Sequence, residues 1–124
     1  MLHHLSFGVN DLARSAAFYD ATLSALGYDR VWADETAVGY GLPGGGDKFA
    51  IKLSPGTVAA HSPGSHVAFA ASSRESVARF YEAALLHGGQ DNGAPELCPE
   101  YGERYFAAFV IDPDGYRIEA VINQ

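Results

Sequence analysis

The segment HLSFGVNDLARSAAFYDATLSALG, residues 4–27, aligns without a gap with HVAFAASSRESVARFYEAALLHGG, residues 66–89. Eight of the 24 aligned positions are identical, and the offset of 62 residues is half of the 124-residue chain. Each copy opens with a histidine, His4 or His66, that the apolar pattern does not require. The chain is therefore a two-fold repeat, and a central site shared by the paired histidines is the first feature to test.

Each copy has the pattern of a strand followed by an amphipathic helix. In residues 2–9 the apolar side chains share one parity, namely Leu5, Phe7 and Val9. His4 has the opposite parity and therefore points away from the apolar face. Apolar residues then recur at helical spacing, from a cap at Asn10 or Asp11 to Gly27. The second copy repeats this arrangement, and Ser72 with Glu75 predicts a capping box at its helix start.

Three further strands are predicted after each helix. They lie near 28–34, 36–42 and 48–53 in the first half, and near 90–97, 104–111 and 116–122 in the second. Asp112-Pro113-Asp114-Gly115 predicts a tight turn between the last two. The prediction is an α+β fold in one domain, residues 1–124. It consists of a βαβββ module over 1–54, a connector over 55–64 and a second βαβββ module over 65–124.

Composition narrows the class of protein. Hydrophobic residues make up 48% and charged residues 19%, as in ordinary globular proteins. The net charge of −7, with only eight Lys and Arg, argues against a nucleic acid or an anionic membrane as partner. The single cysteine, Cys98, has no partner for an internal disulfide, and the N-terminus lacks the pattern of a secretory signal. We therefore expect a cytoplasmic protein.

The repeat also pairs two polar positions in the last strand of each half. Ile51-Lys52-Leu53 matches Ile118-Glu119-Ala120, so Lys52 and Glu119 occupy equivalent slots and face away from their apolar neighbours. If the modules pack around a pseudo-two-fold axis, these two side chains and both histidines line one concave surface. Two imidazoles and one carboxylate, from His4, His66 and Glu119, form a donor set for a divalent metal.

Paired βαβββ modules, a first-strand histidine in LHHLSFGVNDLARSAAFY, a second in SHVAFAA, and a closing FVIDPDGYRIEAV resemble the vicinal oxygen chelate superfamily. That superfamily includes glyoxalase I, extradiol dioxygenases, fosfomycin-resistance enzymes and bleomycin-binding proteins. The resemblance covers essentially the whole chain. It implies eight strands that curl into an open barrel-like sheet around a pocket for a small molecule.

The resemblance also implies roles for the four slots. Metal-using members draw their ligands from the first and last strands of each module, which here implies that His4, His66 and Glu119 hold Fe, Mn, Ni or Zn. Glyoxalase I carries a carboxylate or amide where this chain has Lys52, and a protonated amine does not ligate a metal. Three ligands resemble the two-histidine, one-carboxylate set of extradiol dioxygenases. Glu119 is then the better candidate for a catalytic base, with a desolvated Lys52 as a second.

A different class of function fits the same residues. Lys52 can pair with Glu119 across the pocket, so that its charge replaces the metal and no cofactor is needed. Metal-free members of the superfamily bind bulky ligands in this cleft and perform no chemistry. The hypotheses are thus a metal-dependent lyase, isomerase or dioxygenase acting on an oxygen-rich substrate, and a bleomycin-resistance-like sequestering protein.

The remaining predictions concern the ligand and the assembly. Arg104 is a candidate contact for an anionic substrate. Aromatic side chains are candidates for lining the pocket, namely Trp32, Phe49, Tyr101 and Tyr105. Two-module members of the superfamily commonly form homodimers, and in some of them one site is built from modules of different chains. His61, in the connector, has no equivalent in the other half, and we expect it to be structural or solvated.

Overall fold

The computed structural model describes residues 1–56 and 63–124. His61 and the middle of the predicted connector lie outside the described residues. The elements of the first half are β1 (Leu5–Val9), α1 (Leu12–Ala25), β2 (Asp29–Ala33), β3 (Ala37–Gly41) and β4 (Phe49–Leu53). Those of the second half are β5 (Val67–Ala70), α2 (Arg74–Leu86), β6 (Gln90–Leu97), β7 (Tyr105–Ile111) and β8 (Arg117–Asn123). The α+β class and the repeated βαβββ pattern are therefore confirmed.

The two helices begin at different kinds of cap. Asp11 caps α1 and accepts a hydrogen bond from the Arg14 N–H at 3.0 Å. The cap of α2 is Ser73, whose capping box is closed by Ser76. The prediction of Ser72 and Glu75 was one residue early, because the Ser76 hydroxyl, and not the Glu75 carboxylate, returns to the backbone of the cap. In the described part of the chain, neither helix is long and apolar enough to cross a membrane.

The strands form two four-stranded sheets with the same topology. Sheet 1 has the order β1-β4-β3-β2 and sheet 2 has the order β5-β8-β7-β6. The first and last strands of each half pair in parallel, and the other neighbours are antiparallel. This register sets Lys52 beside Gly8 in sheet 1 and Glu119 beside Ala68 in sheet 2. The sheets do not close into a barrel, and β1 and β5 are edge strands.

Both halves contribute to one hydrophobic core. Helices α1 and α2 pack against each other, each with its own sheet behind it. The core side of sheet 1 carries Phe7 and Ile51, and that of sheet 2 carries Ile118 and Ala120. Because side chains alternate along a strand, the intervening residues lie on the opposite face of each sheet. We call these surfaces open face 1, which carries Lys52, and open face 2, which carries Glu119.

The tight turn Asp112–Gly115 connects β7 to β8, and its carboxylates contact the first half. We call it the DPDG turn. Its Asp112 side chain is 3% exposed and accepts hydrogen bonds from the fully buried Tyr19 hydroxyl and from the Asp114 and Tyr116 N–H groups. Asp114 accepts from the Arg14 guanidinium at 2.8 Å and from the Ser15 hydroxyl at 2.7 Å. The carboxylates of the second half therefore fix helix α1 of the first.

Candidate functional site

Open face 2 holds a hydrogen-bonded cluster of three side chains. The carboxylate of Glu119, on β8, is 1% exposed. Its Oε1 lies 2.9 Å from Nε2 of His66, which immediately precedes β5, and its Oε2 accepts a hydrogen bond from the Tyr105 hydroxyl at 2.5 Å. We call these residues the Glu119 cluster. Parallel pairing of β5 with β8 brings the histidine to the carboxylate, because Ala68 is the neighbour of Glu119 in the register.

The hydrogen bonds define the donors of the cluster. An ionised carboxylate only accepts, so both His66 Nε2–H and the Tyr105 O–H donate to Glu119. Burial, followed by the hydrogen bond to Glu119, raises the pKa of the Tyr105 phenol, which therefore stays protonated at neutral pH. The His66 side chain is 50% exposed, so solvent or a ligand has access to it. The buried charge of Glu119 is thus compensated from two sides, with an accessible imidazole above it.

Two further predicted contacts lie near this cluster in sequence and space. The Tyr101 ring, 62% exposed, lies with its centroid 5.3 Å from that of Tyr105. Arg104 is exposed and immediately precedes β7. Phe109 was missed by the sequence analysis, although its ring centroid is 6.4 Å from that of His66. Parity could have identified it, because Phe109 pairs with Glu119 in the register and alternates with core residues.

On open face 1, Lys52 occupies the position equivalent to Glu119. Lys52 is exposed and makes no ion pair within residues 1–56 and 63–124. Trp32 covers part of this face, since a Cβ built on Gly39 would meet the indole Nε1 at 2.3 Å. A glycine at this position therefore leaves room for the indole directly above the sheet.

The other two predicted residues lie apart from both open faces or at their margin. His4 precedes β1 and is exposed, with Nδ1 2.8 Å from Nδ1 of His3. Phe49 is 4% exposed and packs among core aromatic rings, with centroids 5.1 Å from Phe7 and 5.2 Å from Phe69. Both residues line one cavity between the halves.

The four equivalent slots are thus divided between the two sheets within one chain. Glu119 contacts His66, and the predicted alternative pairing of Lys52 with Glu119 does not occur among the described residues. The reason is the packing of the halves, since Lys52 and Glu119 belong to different sheets and the halves meet through α1 and α2. In the same part of the chain no three His, Cys, Asp or Glu side chains are grouped closely enough to hold a metal ion.

His66 and Glu119 nevertheless suit a divalent metal as two of its ligands. Two donors about 2.1 Å from one ion, at right angles to each other, lie about 3 Å apart. The observed separation of Nε2 and Oε1 is 2.9 Å, so both atoms can bind one ion in place of the proton that they share. Imidazole and carboxylate together suit Zn, Fe, Ni or Mn. A third protein ligand has to come from outside the Glu119 cluster.

Comparisons with known proteins agree with this architecture. The family model described as Glyoxalase/Bleomycin resistance protein/Dioxygenase superfamily matches residues 1–120. A glyoxalase/bleomycin resistance protein from Albidiferax ferrireducens T118 is 35% identical, with a TM-score of 0.80, over 95% of this chain and 94% of that one. The chain therefore belongs to the glyoxalase/bleomycin resistance protein/dioxygenase superfamily.

More distant structures share the fold. A glyoxalase-related enzyme from Fulvimarina pelagi is 22% identical, with a TM-score of 0.73, over 97% of this chain and 86% of that one. The fosfomycin resistance protein FosX from Mesorhizobium loti is 19% identical, with a TM-score of 0.70, over 100% of this chain and 92% of that one. No curated protein sequence matches the chain. The comparisons establish the family and the fold, and the chemistry has to be argued from the chain's own residues.

Proposed function

We propose that this protein is a cytoplasmic, divalent-metal-dependent lyase, isomerase or dioxygenase that acts on a small oxygen-rich molecule. The observation that carries the proposal is the 2.9 Å separation of His66 Nε2 and Glu119 Oε1 beneath an accessible face. The fold supports it because members of this superfamily bind small molecules against their sheets. His4 is the proposed third ligand, and when bound the metal supplies Lewis acidity to neighbouring substrate oxygens.

The proposal requires two copies of the chain. His4 belongs to the half that carries open face 1, whereas His66 and Glu119 lie on open face 2. Each open face also presents a partly exposed aromatic ring, Trp32 on the first and Tyr101 beside the second. A homodimer that sets open face 1 of one chain against open face 2 of its partner brings the four slots together and covers these rings.

The protein groups then have distinct tasks. Glu119 is a ligand and the candidate base, since its carboxylate is the acidic side chain of the Glu119 cluster and lies beside the accessible His66. Tyr105 is a positioning residue, because its hydroxyl holds Oε2 in place. Lys52 has no acidic partner among the described residues and can neutralise a developing negative charge on the substrate. Arg104 and Tyr101 are proposed substrate contacts, as is Trp32, whereas Phe49 acts through core packing because it is buried.

A second function is favoured by one observation. Both oxygens of Glu119 already accept hydrogen bonds, so its buried charge is balanced without an ion. The alternative is a metal-free protein that sequesters a small molecule between the open faces. In this case Lys52 and Arg104 would attract an anionic ligand, and the Glu119 cluster would act as a polar wall.

Metal analysis separates the two functions. Protein purified without a chelator is analysed for metal content and then titrated calorimetrically with Mn, Fe, Ni and Zn. We expect stoichiometric binding that His66→Ala abolishes. His87→Ala is the matched control, because His87 caps α2 and its Nδ1 contacts the Ala83 carbonyl. Equal binding by both variants, or no binding by the unmodified protein, would contradict the metal-dependent function.

The shared site is tested by mixing variants. A heterodimer of His4→Ala and His66→Ala chains has one site with both histidines and one site with neither. We expect this heterodimer to bind one metal ion, whereas both variant homodimers bind none. If the site lay within one chain, every chain of the heterodimer would lack a ligand and binding would be lost. Sedimentation of the unmodified protein as a monomer would also exclude the dimer.

A further inference from the structure

A cavity of about 340 Å³ lies between the two halves. Its walls include Leu5 of edge strand β1, Val67–Ala70 of edge strand β5 and Leu23 of α1. None of the residues of the Glu119 cluster lines it, nor do Lys52, Trp32, Tyr101 or Arg104. The volume falls within the range of small-molecule sites in proteins, at its lower end.

The inner wall of the cavity is aromatic and held rigidly. Phe49 and Phe69 meet edge to face, with ring centroids 5.2 Å apart. The Tyr28 hydroxyl donates to the Ala70 carbonyl at 2.7 Å, and the Tyr40 hydroxyl donates to Asp20 at 2.8 Å. The first bond links the two halves, and the second anchors the ring of Tyr40 to α1. The phenols therefore present ring surface to a ligand, with their hydroxyl groups engaged elsewhere.

The charge of the lining is unusual for this chain. The protein has a net charge of −7, yet none of the described residues that line the cavity is an Asp or Glu. Its ionisable lining residues are Lys48, His3 and His4, together with the two tyrosines. Burial raises the pKa of both Tyr28 and Tyr40, so both phenols remain neutral. Lys48 makes no ion pair in the described part of the chain. The lining thus combines an apolar interior with positive charge and no anion.

We propose that this cavity is a second small-molecule site, specific for a compact aromatic monocarboxylate whose ring packs against Phe49 and Phe69 and whose carboxylate pairs with Lys48. The apolar walls select the ring through burial of its surface. The Lys48 ammonium selects a carboxylate and repels a cationic ligand, and none of the described residues that line the cavity is an Asp or Glu that would offset this repulsion. The cavity shares His4 with the metal site proposed for the dimer, but none of the residues that would hold the ring or the carboxylate is a proposed metal ligand.

The binding experiment uses three probes that differ in one group, namely trans-cinnamate, cinnamyl alcohol and cinnamylamine. Titration is followed by the amide resonances of Val67–Ala70 in ¹H–¹⁵N spectra of the unmodified protein. We expect cinnamate to bind most tightly, the alcohol more weakly and the amine least. Lys48→Gln should weaken cinnamate about tenfold and leave the alcohol unchanged, since only the charged pair is lost.

Two further variants locate the ligand. Ala70→Phe places a ring in the cavity from an exposed position on β5 and should abolish binding of both cinnamate and the alcohol. Ala94→Phe, at an exposed position of β6 outside the cavity, is the matched control and should bind normally. Lys52→Gln and Glu119→Gln test the open faces and should also bind normally. Loss of cinnamate binding in these two variants, with Lys48→Gln unaffected, would overturn the proposal, as would failure of all three probes to bind.

Discussion

The two halves of this repeat use the same slot in opposite ways. In the second half, Glu119 is 1% exposed and both of its oxygens accept hydrogen bonds, from His66 and Tyr105. In the first half, Lys52 is exposed and has no acidic partner among the described residues. A buried anion needs partners that a solvated cation does not. The repeat thus places the two side chains in equivalent positions, and their surroundings differ.

Strand length explains part of this divergence. The β7–β8 hairpin continues four residues beyond Glu119, as far as the pair Tyr105 and Asn123. Strand β4 ends one residue after Lys52, at Leu53, and Pro55 follows. Proline has no N–H for a ladder and disfavours continuation of the strand. The first half therefore lacks the extension that carries Tyr105, the donor that holds the acid of the second half.

The turn between the last two strands also differs between the two halves. The DPDG turn of the second half sends two carboxylates into the first half. The equivalent turn of the first half is the glycine-rich stretch 44–48, and its Asp47 and Lys48 make no ion pair within the described residues. Among the described residues, the carboxylates that bind side chains across the two halves thus all belong to the second half. This asymmetry leads to the largest predicted effect.

Asp112→Ala should weaken the contact between the two halves and lower the free energy of unfolding. The substitution leaves the buried Tyr19 hydroxyl and two backbone N–H groups without their acceptor. Each buried polar group left unpaired costs about 1–3 kcal/mol, and some of these groups will recover water, so we expect a loss of about 3 kcal/mol. Urea denaturation measures the change. Asp29→Ala, at an exposed strand position, is the control, and an equal shift in both variants would refute the role of the turn.

The second prediction compares the equivalent slots directly. Glu119→Ala should cost about 2 kcal/mol, because the Tyr105 hydroxyl and the His66 ring lose their acceptor next to the core. Lys52→Ala should leave the denaturation midpoint unchanged within error, because its side chain is solvated. The pair of urea curves is the measurement. Similar losses in both variants would mean that the halves had not diverged as the structure indicates.

The sequence predicted those features of the two equivalent positions and of the turn that depend on neighbouring residues. Alternation placed Glu119 and Lys52 opposite the core, and the residue types of the DPDG turn identified it as a turn, because both properties arise from neighbouring residues. The partners of the turn lie 93 residues away at Tyr19 and 100 at Arg14, where no local pattern reaches.

The arrangement of the site was not accessible for a similar reason. The repeat is compatible with modules whose faces meet within one chain and with modules that pack through their helices. The structure shows the second arrangement, with α1 against α2. The sequence therefore grouped His4, Lys52, His66 and Glu119 without deciding whether one chain or two supply them. Within one chain only His66 and Glu119 touch. The position of the α2 cap also depended on a choice between two adjacent serines, which pattern alone did not resolve.

The third prediction concerns pH and the DPDG turn. Burial raises the pKa of Asp112 above its usual value of 3.8, against the opposing effect of its hydrogen bonds. The folded state therefore binds this proton more tightly than the unfolded chain, and stability falls as the pH rises from 3.8 through the raised pKa. Asp112→Asn removes the titration. We expect the unmodified protein to lose stability relative to this variant over that interval, as measured by urea midpoints at each pH. A constant difference would contradict the prediction.

The smallest predicted effect tests how Trp32 covers open face 1. In Gly39→Ala the new methyl group would lie 2.3 Å from the indole Nε1, so the ring has to move off the sheet toward solvent. Trp32 is the single tryptophan, and its fluorescence maximum should shift to longer wavelength. The stability loss should stay below about 1 kcal/mol, since the ring is already 38% exposed. Gly46→Ala is the matched control, because a Cβ there meets nothing within 4 Å. An unshifted spectrum in Gly39→Ala would mean that the indole does not rest on the glycine, and open face 1 would then be uncovered around Lys52.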